Sequence, residues 1–493
     1  ENILDFNQSL NIVLDKSMDY QIAKQGLDVA EKKRTQYFRD LFPSVSLKLF
    51  EESKGKINND YIRKSYGVEI SQVIFNGGKF KFNYLRACSE YNAAHEKIKK
   101  AESDMVFNTN KFFYNALKFK NIYSDYDRII KNLCANFKPF EKKYKAGFVA
   151  KLDYLETIDT YKELLFKRDD IGKERELAII ELKHELTVPY NKEINIDGVF
   201  DLKDKYYDID KIIHNMLNTN PEIIYIQELL SAAEYGKKAA SAEFKPSLFF
   251  DGYYNKTDEE EKRGDLDLEN DWYAGLKFEV PFGGNTLKTE YSKSEAPGNI
   301  TNTESKEKES FKVNLNILDS LGDYTKEAEA ILDYKKQMKS MDDIKKQYIL
   351  DAKKAYINFE RNKNKFIRMK EKRELYENKV KVALFRINNN ETEMLEMIKT
   401  YEVLLIAVKD YWESLFEYHM SITQLEILKG NIFIDNTPIK KDVPENKNNS
   451  SFEQEFKEVE GLMDKFDKRV QRNKIRIDRL LDILNKRKKE ALG

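Results

Sequence analysis

The sequence is poor in the residues that build cross-linked or metal-binding proteins. Its two cysteines, Cys88 and Cys134, are too few for a disulfide framework, which leaves at most one bridge. The four histidines, His95, His184, His214 and His419, stand alone, none with a second ligand three or four residues away, so no metal motif is present. No run of eighteen apolar residues occurs. That excludes a membrane-spanning helix but not membrane strands, which need only about 9–11 alternating residues. The 85 basic and 85 acidic side chains cancel, which removes the basic excess that nucleic-acid binding requires. Phosphate-loop, nucleophile-elbow and Ser/His/Asp patterns are missing, so neither an enzyme nor a cofactor is expected. The chain opens on Glu1 without a signal-type segment. The expectation is a processed, mature chain, and one without an N-terminal lipid anchor, because residue 1 is not cysteine.

What is abundant is charge, at 34% of residues, beside only nine prolines and nineteen glycines. That bias favours long helices with solvated faces. The sequence also repeats itself. Residues 10–49 align with 213–252 at a constant offset of 203, pairing Leu14 with Leu217, Leu27 with Leu230, Ala30 with Ala233 and Pro43 with Pro246. The segments KLDYLETIDTYKELL (from Lys151) and ETEMLEMIKTYEVLL (from Glu391) align at an offset of 240, pairing Leu155 with Leu395, Glu156 with Glu396 and Tyr161 with Tyr401. The reading is two repeats, residues 1–208 with the linker between them and 209–435, followed by a tail.

In the first repeat, helical spacing over 5–40 ends at Pro43. Val45, Leu47 and Leu49 then alternate with polar residues, a loop ESKGKINNDY follows, and YGVEISQVIF alternates again before Asn76-Gly77-Gly78. A helix from about Lys79 to Tyr144 would be roughly 100 Å long. The turn Lys145–Lys151 separates it from a second helix, about 152–186. The second repeat follows the same scheme: a helix over about 209–243, strands PSLFFDGYY and DWYAGLKFEVPF, then Gly283-Gly284. Its long helix begins only near Leu321, so about 285–320 is an insert. That insert reads either as a polar loop or as an extra hairpin, in which Val313, Leu315 and Ile317 alternate with polar neighbours and the strand count rises from four to six. After a linker-like stretch from about 436, Phe452, Phe456, Val459, Met463 and Phe466 predict an amphipathic C-terminal helix within 436–493.

Open strand edges must be paired. Two strand pairs so far apart in sequence cannot close a barrel alone, whereas several chains can, and a closed barrel is the β solution in a bilayer. Apolar residues of the strands, Tyr66, Val68, Ile70, Trp272, Leu276 and Phe278, are then the candidates to face lipid.

The segments LFPSVSL, EISQVIFNGG, FKPSLFF, LKFEVPFGG and KKYKAGFVAKLDYLETIDTY, in duplicated order over roughly residues 1–430, are similar to the strand boundaries and helix-turn motif of the TolC-like outer-membrane efflux proteins. The resemblance implies a mainly α fold with a membrane β-barrel. Long antiparallel coiled-coil helices would form an α-barrel tunnel, and 4–6 strands per protomer would enter a shared trimeric barrel. It further implies a homotrimer in outer-membrane lipid that extends into the periplasm of a Gram-negative-type cell. Such a trimer passively exports small molecules or proteins handed on by a periplasmic adaptor and an inner-membrane transporter. By the same resemblance Asp153, Glu156, Glu393 and Glu396 are candidate periplasmic gate carboxylates, which a merely solvated helix face also explains. Gly147, Phe148, Val149, Asn388, Asn389 and Asn390 are candidate adaptor-contact turns. The rival reading is a structural coiled-coil scaffold of the cell envelope with no pore; it accounts for the helices but not for the duplicated strands.

Overall fold

Each half of the chain starts with a capped pair of short helices, and the caps themselves are duplicated. The computed structural model describes residues 3–430 apart from 57–58, 201, 203–205, 262–267, 297–305 and 389–392; the expected C-terminal helix lies outside the described residues. The first repeat comprises β1 (Ile3–Leu4), α1 (Phe6–Lys16), α2 (Met18–Arg39), β2 (Ser44–Lys56), β3 (Asn59–Asn76), α3 (Lys79–Lys145), α4 (Lys151–Glu185) and β4 (Asn195–Ile196). The second comprises α5 (Ile209–Thr219), α6 (Pro221–Ser241), β5 (Ser247–Glu261), β6 (Glu269–Phe282), β7 (Asn285–Ala296), β8 (Lys306–Asn316), α7 (Leu321–Asn388) and α8 (Met394–Leu428).

The single opening helix expected in each repeat is in fact two. Ser17 and Asn220, which correspond at the offset of 203, both adopt extended backbone (ψ 120° and 123°). The Ser17 hydroxyl accepts from the Tyr20 amide at 3.3 Å, and the Asn220 side chain accepts from the Glu222 and Ile223 amides at 3.0 and 3.4 Å. Short polar side chains that compete for nearby backbone amides stop one helix and start the next. Asp5 and Asp208 cap the first helix of each pair in the same way.

The buried core is doubled too. Val13, Tyr20, Phe113, Leu117 and Leu182 form one cluster, and Met216, Ile223, Phe359, Tyr418 and Leu425 form its counterpart. Val13 corresponds to Met216 and Tyr20 to Ile223 at the same offset. A third cluster joins the repeats, packing Phe137, Leu164 and Ile171 with Met397, Ile398, Tyr401 and Leu404. α3 packs against both α4 and α8, and α8 packs against α7. At this junction Asp125 receives Arg373 at 3.2 Å and the Trp412 indole N–H at 2.9 Å, while Arg373 also meets Glu377 at 3.0 Å.

β2, β3, β5, β6, β7 and β8 form one six-stranded antiparallel sheet in that order. The strands run past the polar loop expected at ESKGKINNDY: β2 and β3 stay paired out to Lys56 and Asn59. Backbone pairing needs no apolar side chain, so a sheet can continue where the hydrophobic alternation has ended. The insert is the hairpin, not the loop. Gly283 and Gly284, with φ of 54° and 82°, make a two-residue turn between the paired residues Phe282 and Asn285, the geometry that favours glycine at both central positions.

Candidate functional site

Two regions stand out: the two faces of the sheet and the turn end of the long helices. On the sheet, directly paired residues point the same way. One face therefore collects Val45, Leu47 and Leu49 of β2, Tyr66, Val68 and Ile70 of β3, Phe250 and Tyr254 of β5, Trp272, Leu276 and Phe278 of β6, Leu287 and Tyr291 of β7, and Phe311, Val313 and Leu315 of β8. All six strand residues expected to face lipid fall on it. Leu47 and Leu49 are 79% and 80% exposed, and Phe311 is 68% exposed. Apolar side chains left this bare across a whole sheet need a non-aqueous neighbour.

Towards the hairpin loops this face acquires a rim of aromatic side chains with satisfied polar ends. The Tyr254 hydroxyl donates to Asn270 at 2.8 Å, the Trp272 indole to Glu295 at 2.8 Å, and the Tyr291 hydroxyl to Glu309 at 2.7 Å. Rings with one apolar and one hydrogen-bonded end suit the boundary between hydrocarbon and water.

The opposite face is a polar network. Asp251 accepts from the Ser71 hydroxyl at 2.7 Å and from Lys277 at 3.0 Å; the Tyr273 hydroxyl donates to Glu290 at 3.0 Å; Ser292 and Ser310 bond at 2.8 Å. Asp271, Thr257, Ser292 and Thr286 are buried on this side, so it is the more enclosed face. The Tyr273 ring lies over Gly275, where a Cβ would come within 2.2 Å of its hydroxyl oxygen.

At the helix turns, α3 ends in a Schellman motif. The Gly147 amide donates to the Tyr144 carbonyl at 2.9 Å, and the Phe148 amide to the Lys143 carbonyl at 3.0 Å. Gly147 holds φ 81°, the left-handed position this motif requires. The Tyr144 and Tyr154 rings stack at 3.8 Å and those of Phe137 and Tyr161 at 4.5 Å, which clamps α3 to α4. Burial and the neighbouring Cys134 thiol push the Tyr161 phenol up to about 12, and burial raises its counterpart Tyr401. Both stay neutral as packing groups. Cys88 and Cys134 are free thiols.

Nothing within 4 Å would obstruct a Cβ at Gly147, so the cost of a side chain there is conformational alone. Gly147→Ala is expected to destabilise the turn by about 1–2 kcal/mol, with Gly147→Asn much milder. Amide hydrogen exchange at 143–150 reads the difference, and equal protection in all three proteins would contradict it.

The four carboxylates expected at a gate share a setting. Asp153 lies in the first turn of α4 and Glu396 in that of α8, while Glu393 caps α8. With Glu156, all four are exposed, while the neighbouring Thr157 and Met397 are buried. Thr160 and Thr400 bond back to the Glu156 and Glu396 carbonyls, both at 2.9 Å, so the two turns are matched in detail. Phe148 is 83% exposed and Val149 half-buried. Asn388 ends α7; Asn389 and Asn390 lie outside the described residues. The Asp125–Arg373–Trp412 junction gave no signal in the sequence, because its members are about 250 and 40 residues apart and none belongs to a motif.

A sheet with one bare apolar face and one enclosed polar face, carried on paired helices of 67 and 68 residues, defines a membrane barrel joined to a helical tunnel. Comparison with known proteins agrees. Residues 10–163 match the family model described as outer membrane efflux protein, and the chain is TolC-like in fold. It is similar to the CmeC outer membrane channel of Campylobacter jejuni (TM-score 0.67, 16% identity, 89% of this chain and 88% of that one covered). It is also similar to the open state of the MtrE outer membrane channel of Neisseria gonorrhoeae (TM-score 0.66, 13% identity, 88% and 91% covered). The outer membrane protein VceC of Vibrio cholerae compares likewise (TM-score 0.65, 11% identity, 86% and 96% covered). No curated protein matches the chain at the level of sequence. No described helix is long and apolar enough to cross a membrane.

Proposed function

We propose that this protein is an outer-membrane efflux channel: three copies close one barrel in lipid, and their long helices form a tunnel into the periplasm. Through it, small molecules or proteins pass passively from a periplasmic adaptor and an inner-membrane transporter to the outside. The observation that carries the reading is the sheet. One of its faces carries apolar side chains on every strand, and its first and last strands, β2 and β8, each have one edge without a partner among the described residues. Such edges are completed by further chains or not at all. The exposed Phe148 beside the Gly147 turn supports a partner at the tip, since bare apolar side chains rimmed by charge mark docking sites. The carboxylates Asp153, Glu156, Glu393 and Glu396 suit a ring at the tunnel mouth. The test is the purified protein in detergent and in planar bilayers. A mass of three copies and discrete current steps are expected. A monomer without detergent dependence, or a bilayer with no current, would leave the non-pore scaffold as the reading.

A further inference from the structure

The inserted hairpin makes a specific claim about the size of the barrel. It leaves and rejoins the chain at one point. The Ser320 amide donates to the Gly284 carbonyl at 3.2 Å, the Leu318 amide to the Asn285 side chain at 2.9 Å, and the Thr286 hydroxyl to Asp319 at 2.9 Å. Leu318, at φ 58°, turns the chain back. In the first repeat the equivalent glycine pair, Gly77-Gly78, leads straight into α3 at Lys79, with Gly78 at φ 90° as its cap. In the second repeat Gly284 holds φ 82°, yet β7 and β8 intervene before α7 starts at Leu321. The hairpin is thus spliced into a junction that the fold completes without it elsewhere.

The splice does not disturb the sheet. β7 pairs with β6 over eleven residues and β8 with β7 over eleven, and both carry the apolar and polar rows on the correct faces. β8 thereby becomes the outer edge, exposed along nearly its whole length. The sheet now has six strands, an even number, so β8 runs antiparallel to the β2 of an adjacent copy. Phe311, Val313 and Leu315 can continue into Leu49, Leu47 and Val45 on the lipid side, and Lys312 and Asn314 into Lys48 and Ser46 on the lumen side. Even-numbered register shifts keep that match; odd ones would put polar residues into lipid.

We propose, resting on the three-copy channel above, that β8 pairs with β2 of the next copy and that the barrel has eighteen strands rather than twelve. At about 4.8 Å per strand and a tilt near 40°, eighteen strands span roughly 110 Å of circumference and twelve only about 75 Å. Four long helices per copy, packed about 8–10 Å apart, give a tunnel circumference of roughly 96–120 Å. The wider barrel therefore continues the tunnel with little narrowing. A barrel of this strand number encloses water rather than side chains, and its lining of paired charges such as Lys277 with Asp251 and Lys288 with Glu279 suits hydrated cargo.

Disulfide capture tests it. In a chain carrying Cys88→Ser and Cys134→Ser, Ser46→Cys is combined in turn with a cysteine at Lys308, Ser310, Lys312, Asn314 or Asn316. One or two of these pairs, set by the register, should convert most of the detergent-extracted protein into a covalent trimer on a denaturing gel, and Ser46→Cys alone should not. A second series combines Ser46→Cys with Tyr273→Cys, Lys277→Cys or Glu279→Cys on β6. Linkage in that series, or associated copies that link in neither, overturns the eighteen-strand barrel while leaving the channel in place. Copies that do not associate at all overturn the channel itself, and this proposal with it. Deleting 285–320, which joins Gly284 to Leu321 as Gly78 is joined to Lys79, should transfer the linkage from β8 to β6.

Discussion

Leu276→Arg is expected to abolish barrel assembly, whereas Ser46→Arg should be tolerated. Leu276 lies mid-strand on β6, paired with Phe250 and Tyr291, on the face whose apolar side chains are bare. An arginine at the midplane of a barrel's lipid face costs about 2–4 kcal/mol. In a three-copy ring that cost arises three times at one level of the bilayer, roughly 6–12 kcal/mol in all, which is comparable to the whole stability of an ordinary domain. Val68→Arg on β3 should behave alike, since Val68 pairs with Leu47 and Tyr254 on the same face. Ser46 pairs with Glu69 across the polar face, where a long cation finds water and a carboxylate. Folding from urea into lipid vesicles, followed by a gel that keeps assembled barrels intact, reads the outcome. Equal assembly of Leu276→Arg and Ser46→Arg would show that this face does not meet lipid and would remove the barrel reading.

Much of this arrangement was legible in the sequence because the repeat supplies two independent readings of each element. Pro43 and Pro246 both mark strand starts, and both glycine pairs mark strand ends, so errors in one half are caught by the other. The apolar rows were legible because strand alternation in a membrane is strict: Val45, Leu47 and Leu49 have no other use. What stayed hidden depended on competition between close alternatives. Ser17 and Asn220 break their helices through single side-chain hydrogen bonds worth about 1 kcal/mol, too little to interrupt the apolar periodicity. The strand extensions to Lys56 and from Asn59 rest on backbone pairing, which leaves no side-chain signature. The Asp125–Arg373–Trp412 junction arises from three-dimensional neighbours that no spacing rule links. In the insert, the start of β8 looked like loop because Glu307 and Glu309 put charge into the same row as Phe311 and Val313, so that only Phe311, Val313 and Leu315 carried the strand signal.

Replacing the four tip carboxylates together, Asp153→Asn, Glu156→Gln, Glu393→Gln and Glu396→Gln, is expected to remove most of the channel's preference for cations. Asp153 and Glu156 are three residues apart, as are Glu393 and Glu396, and such pairs share one side of a helix. All four side chains are exposed, and among the described residues none of the four forms an ion pair with a lysine or arginine. Three copies would set twelve unneutralised carboxylates around one axis. A ring of like charge in a narrow passage concentrates cations and repels anions. At 0.1 M salt the screening length is about 10 Å, and at 1 M about 3 Å, so the preference should be strong in dilute potassium chloride and shrink in concentrated salt. The quadruple variant should bring the cation-to-anion permeability ratio several-fold down, to about one, and lose the salt dependence with it. Because these side chains are exposed, the melting temperature should stay near that of the parent. Reversal potentials under a potassium chloride gradient decide the matter. A ratio unchanged by the four substitutions would mean that these carboxylates face the outside of the tunnel, and the gate would then have to be built from other residues of the tip.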